Sequence, residues 1–153
     1  MKKFVLLVLV LITGLTVFSQ GIEFQKGRYA EVLEMAKKQN KLVFIDIYTS
    51  WCGPCKHMAD KVFPQAKVGE YYNAHFLNLK LDAEKSEDGK MVAKTFGVSA
   101  YPTFLFVNGD GELVYRFLGG KTVDMFVKEG DVVRAGDKLL HFDPVKIAQA
   151  GCE

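Results

Sequence analysis

An almost unbroken apolar run, residues 41–48 (KLVFIDIY), leads within two residues into Trp51-Cys52-Gly53-Pro54-Cys55. A run of that length, interrupted only by Asp46, reads as a central strand covered on both faces, so the rest of the chain must supply packing layers on either side of a sheet. The Gly-Pro insert stiffens the turn that follows, and Cys52 caps or opens the next helix. Two cysteines separated by two residues can close a disulfide, yet they stand too near each other to staple a fold. Their pairing reads as chemistry instead, with Cys52 as the nucleophile.

The remaining elements follow from pattern. Residues 27–40 place Tyr29, Val32, Leu33, Met35 and Ala36 among charges at helical spacing. A helix is expected over 53–62, broken by Pro64 before a second over 65–74. Residues 76–81 (FLNLKL) alternate as a strand, and 88–96 form a helix stopped by Gly97. Strands 103–107 and 112–118 flank Asn108-Gly109-Asp110-Gly111, a hairpin signal. Parallel strands joined by helical crossovers, with one antiparallel hairpin, predict an α/β fold: a central mixed sheet flanked by helices.

At 153 residues the chain suits one domain of ordinary size. Its 49% hydrophobic content is raised by the N-terminus, where Lys2 and Lys3 precede an apolar stretch from Phe4 to Ile12. Residues 1–19 read as a secretory signal peptide cleaved after Ser19, leaving Gln20 as the new N-terminus. The rival reading is an uncleaved membrane tether, although the apolar run ends at Phe18, short of the roughly 20 residues a spanning helix needs. No cysteine stands near the cleavage point to carry a lipid. There are 20 basic and 18 acidic residues. Loss of Lys2 and Lys3 makes the mature chain formally neutral, which gives no sign of a nucleic-acid or anionic-membrane partner. Cys152 reads as a spare thiol near the C-terminus.

Several separated features, in order, resemble the thioredoxin superfamily over residues 27–120. The thiol motif follows the first long strand, Asp46 lies six residues before Cys52, Tyr101-Pro102-Thr103 looks like the family's cis-proline loop, and Gly119-Gly120 follows the last strand. The spacing is also similar to exported thioredoxin-like proteins of bacteria, which implies a periplasmic location in a Gram-negative cell. The resemblance implies a thiol-disulfide oxidoreductase, a monomer that acts on protein thiols and disulfides and exchanges electrons with a separate donor or acceptor, such as a membrane redox protein. Cys52 at a helix N-terminus has a lowered pKa and attacks; Cys55 resolves the mixed disulfide. The Gly-Pro insert resembles that of reducing thioredoxins, while an oxidising compartment leaves a disulfide-donating role open.

In that family the acid matching Asp46 lies beneath the thiols and assists Cys55; the plainer alternative is a core carboxyl that only accepts hydrogen bonds. Lys80 falls where the family often keeps a lysine near the acid, or else faces solvent. Pro102 presents backbone to substrate, Tyr101 and Thr103 stand beside it in the groove, and Trp51 forms a groove wall or simply packs. No organic cofactor or metal is implied, because the dithiol carries the electrons and His57 beside one cysteine pair does not make a zinc site. His75 reads as a packing or surface residue. A non-catalytic peptide-binding module of the same fold is the alternative from another class.

Residues 122–153 depart from the pattern. A closing helix is expected after Gly120, but Gly130-Asp131 and Gly136-Asp137 interrupt it. Residues 127–140 (VKEGDVVRAGDKLL) look like a barrel-sandwich hairpin, and with His141 and the segment 145–151 they resemble the C-terminal end of a glucose-type phosphocarrier domain. About 30 residues cannot bury a core of their own. The segment is therefore read as a fusion fragment without phosphotransfer activity, whose deletion from Gly130 onward changes reductase activity little.

Overall fold

The computed structural model describes residues 21–134. The leader expected at 1–19 and the tail beyond 134, including His141 and Cys152, lie outside the described residues. Five helices and four strands follow in the order α1 (Tyr29–Gln39), β1 (Leu42–Tyr48), α2 (Gly53–His57), α3 (Ala66–His75), β2 (Phe76–Asp82), α4 (Glu87–Thr95), β3 (Thr103–Val107), β4 (Leu113–Leu118) and α5 (Val123–Arg134), with a π-helical turn at Met58–Val62. The expected α/β fold is present. The sheet order is β2-β1-β3-β4, with β1 and β2 parallel and the other pairs antiparallel.

Strand alternation divides the core in two. Val43, Ile45 and Ile47 of β1 join Leu77, Leu79 and Leu81 of β2 on one face, under Val32 and Ala36 of α1 and Val92 of α4. Phe44, Phe104, Phe106 and Phe117 face the other way, where Met58, Val62, Tyr72 and Phe126 meet them in an aromatic layer. Phe44 lies edge-on to Tyr72 and Phe126, at 4.8 and 5.6 Å between centroids, a geometry that suits the ring quadrupole. Asp46 and Lys80 belong by alternation to this aromatic face.

Local chemistry sets the element ends. The Glu31 carboxylate accepts from the Arg28 N–H at 2.9 Å where α1 begins, and Asn40 closes that helix with φ 50°. Ser86 Oγ accepts from the Gly89 N–H at 2.9 Å at the start of α4. In the hairpin, Asn108 Oδ1 accepts from the N–H groups of Asp110 and Glu112, 3.0 and 2.9 Å away.

One expectation is overturned. Residues 127–134 are not part of a hairpin: α5 runs through Gly130 to Arg134. Val123, Phe126, Val127, Gly130 and Val133 recur at helical spacing, and Phe126 and Val133 are buried in the aromatic layer. Gly130 permits close approach instead of breaking the helix, because a Cβ there would stand 2.7 Å from Tyr71 Cε1 on α3. The closing helix is thus present, and a deletion from Gly130 would cut into the core.

Candidate active site

Register brings the functional loops to one edge. Tyr48 pairs with Asp82, Ile47 with Thr103, and Thr103 with Leu118. The segments leaving β1 and β2, entering β3 and leaving β4 therefore converge where these strands end together. Open α/β sheets characteristically bind ligands beyond the carboxyl ends of their strands.

Cys52 is the N-cap of α2, in extended conformation, and its Sγ accepts from the Cys55 N–H at 3.1 Å. Pro54 occupies the first turn, where its missing N–H deprives the helix of little. Cys52 and Cys55 are joined as a disulfide with a Cα–Cα separation of 5.3 Å. Both are buried, whereas Trp51 is 66% exposed. Met58 Sδ, one turn past Cys55, accepts from the Lys121 N–H at 3.3 Å, tying the thiol helix to the segment after β4.

The Tyr101-Pro102 peptide is cis. The Pro102 carbonyl accepts from the Gly119 N–H at 2.9 Å, and the buried Thr103 hydroxyl donates to the Ala100 carbonyl at 2.7 Å. Trp51 meets the Tyr101 ring edge-on, with centroids 6.0 Å apart. Its indole N–H points to both Glu84 carboxylate oxygens, 3.0 Å away. Glu84 did not emerge from the sequence; a pairing across 33 residues leaves no local periodic or motif signal.

Asp46 and Lys80 occupy paired positions on β1 and β2, and the ammonium lies 3.7 Å from Asp46 Oδ2. Only 1% of Asp46 is exposed, and its Oδ1 has no hydrogen-bond partner among the described residues. Burial pushes the carboxyl up to about 7, against the opposing pull of the Lys80 charge. The sheet face that carries Asp46 is the one on which Met58 and Val62 of the π-helical turn, directly after α2, pack. His57 is exposed on α2, and the His75 ring meets Tyr71 at a tilt, with centroids 4.7 Å apart.

Residues 29–133 match the family model for a thioredoxin-like domain. The chain belongs to the thioredoxin-like family. Among thioredoxin-like relatives, Thioredoxin H4 of Arabidopsis thaliana is 38% identical over 96 residues, covering 63% of this chain and 75% of that protein. The solution structure of a candidate disulphide-isomerase from Bacteroides thetaiotaomicron is 42% identical, covers 77% of this chain and 97% of its own, and superposes with a TM-score of 0.67. Thioredoxin f2, solved in complex with ferredoxin:thioredoxin reductase, is 30% identical, covers 75% of this chain and 96% of its own, and has a TM-score of 0.56. This thioredoxin-like chain, with its Cys52–Cys55 pair at the start of α2, is a thiol-disulfide oxidoreductase.

Proposed function

We propose that the protein is an exported reductant of protein disulfides. The observation that carries this reading is the Cys52–Cys55 pair at the start of α2, placed with the cis-proline loop at one sheet edge. In the reduced protein, the Cys52 thiolate attacks a substrate disulfide, forming a mixed disulfide and releasing the first substrate thiolate. Cys55 gives its proton to the Asp46 carboxylate and attacks Cys52 Sγ. The second substrate thiolate leaves, two electrons have passed to the substrate, and the Cys52–Cys55 disulfide remains. A carboxyl raised to about 7 is suited to take and return that proton near neutral pH. Lys80 adjusts the acid, while Trp51, Tyr101, Pro102 and Thr103 receive an extended segment of the substrate.

The dithiol carries the electrons, so the reaction requires neither an organic cofactor nor a metal. The protein acts as a monomer and is recharged by a separate redox protein. The solved pairing of thioredoxin f2 with a reductase supports a protein donor of this kind. The N-terminal pattern at residues 1–19 supports export to the periplasm, where a membrane redox protein is a suitable donor.

Cys55→Ser is expected to hold substrates as mixed disulfides on Cys52, visible as dithiothreitol-sensitive adducts. Cys52→Ser is expected to abolish both turnover and adducts. Full disulfide-reducing activity in Cys52→Ser would sink the proposal, and unchanged peptide binding without turnover in the parent protein would make it a binding module.

A further inference from the structure

An arm ahead of α1, residues 21–26, lies against the far side of the buried ion pair. The Ile22 N–H donates to the Phe63 carbonyl at 2.9 Å, and the Gln25 N–H to the Asn78 carbonyl at 2.8 Å. Asn73 ties the arm from α3: its amide donates to the Gly21 carbonyl at 3.0 Å, and its oxygen accepts from the Glu23 N–H at 2.9 Å. Gly69 makes this contact sterically feasible, because a Cβ there would stand 2.2 Å from the Gly21 oxygen.

Beneath the arm is an open cleft of about 240 Å³ lined by Gly21, Ile22, Phe24, Ala59, Phe63 and Lys80. The Lys80 ammonium lies 4.6 Å from the Tyr48 ring centroid, 5.6 Å from Phe63 and 5.9 Å from Phe24. Three aromatic faces thus surround a cation, an arrangement that holds it while limiting its hydration. Phe24 also meets Phe63 edge-on, with centroids 5.6 Å apart. Lys80 is 27% exposed and stands between this cleft and Asp46, which is 2% exposed at its side chain.

We infer that Phe24 is a positioning residue for the reaction: held by the arm, it completes the apolar wall around Lys80 and so keeps water from the Asp46 carboxyl. This rests on the reading of Asp46 as the proton acceptor for Cys55. Among the described residues, the charged and titratable groups on the same sheet face include Lys80 and Asp82 from β2, Tyr48 from β1 itself, Tyr115 from β4 and Tyr72 from α3. Among the forces on Asp46, burial is the largest, so admitting water moves its titration downward.

The test is the titration of Asp46 by carboxyl ¹³C NMR in the oxidised protein, where the paired thiols do not ionise, with Asp46→Asn identifying the resonance. Phe24→Ala removes the wall while leaving the arm's backbone bonds, and is expected to lower the midpoint by about one pH unit, a partial relief of burial effects that reach several units. Phe24→Leu keeps an apolar wall and is expected to leave the midpoint in place. A Phe24→Ala midpoint at or above the parent's overturns the inference. Should Phe24→Ala not fold, Ile22→Ala on the same wall carries the comparison: a lowered midpoint supports the inference and an unmoved one overturns it. Failure of the underlying reading has a different signature, since Asp46→Asn would then reduce substrate at the parent's rate across neutral pH while the NMR shift in Phe24→Ala persisted.

Discussion

A carboxyl with 1% of its surface exposed and one cation at 3.7 Å is charged at a cost, and the sign of its pH dependence follows. Its folded pKa lies near 7, above the ordinary value of 3.8. Between those values the folded state holds a proton that the unfolded state has lost, so stability falls as pH rises through that window. Below it, neither state is ionised and the penalty vanishes. Asp46→Asn is therefore expected to stabilise the oxidised protein at pH ~8 by an amount on the order of 3 kcal/mol, shrinking toward zero near pH ~4. Urea unfolding at the two pH values measures this, and a pH-independent difference would contradict it. Lys80 retains 27% exposure in its side chain and can stay hydrated when its partner is neutralised. Asp46 was conspicuous in the sequence as the one acid in KLVFIDIY. Its electrostatic setting was less legible, because the Phe24 and Phe63 rings reach Lys80 from distant segments that carry no local mark of it.

Strand and helix positions were legible because periodicity and punctuation agreed. KLVFIDIY became β1, Pro64 lies between the π-helical turn and α3, and Asn108 organised the hairpin it was expected to organise. α5 was misread because glycine in a helical pattern has two physical meanings, a break or a close contact, and only the neighbour decides between them. Here the neighbour is Tyr71, whose hydroxyl donates to Asp131 one residue beyond Gly130, at 2.7 Å. The distinction predicts a sign. In an open helix Gly→Ala stabilises by up to about 1 kcal/mol, whereas the methyl of Gly130→Ala meets Tyr71 Cε1 at 2.7 Å. Gly130→Ala is expected to destabilise by about 1–2 kcal/mol, as overpacking does. A raised melting temperature would mean that α3 and α5 accommodate the methyl, and that Gly130 is not needed for their close approach.

Across the whole molecule, the sheet order β2-β1-β3-β4 gathers the dithiol, the cis-proline loop and the segments that carry Glu84 and Gly120 at one edge. Direction of electron flow depends on how far this edge stabilises the reduced pair relative to the disulfide. A strongly oxidising protein of this kind stabilises its thiolate, as the value near −120 mV for DsbA reflects, against about −270 mV for thioredoxin. The difference is about 7 kcal/mol for a two-electron couple. Among the described residues, one N–H donor, that of Cys55, reaches Cys52 Sγ, at 3.1 Å, while the buried Asp46 carboxyl opposes a further negative charge whenever it is ionised. These terms favour the disulfide over the thiolate, and the expected potential lies nearer −270 than −120 mV. Trp51, the one tryptophan of the chain, adjoins Cys52 and reports the transition by fluorescence in thiol-disulfide buffers. At the low value the protein cannot be kept reduced by an oxidising compartment, so its turnover depends on electrons delivered from elsewhere. At the high value electrons would flow from substrate thiols into Cys52–Cys55, reversing the proposed direction without changing the residues that carry it.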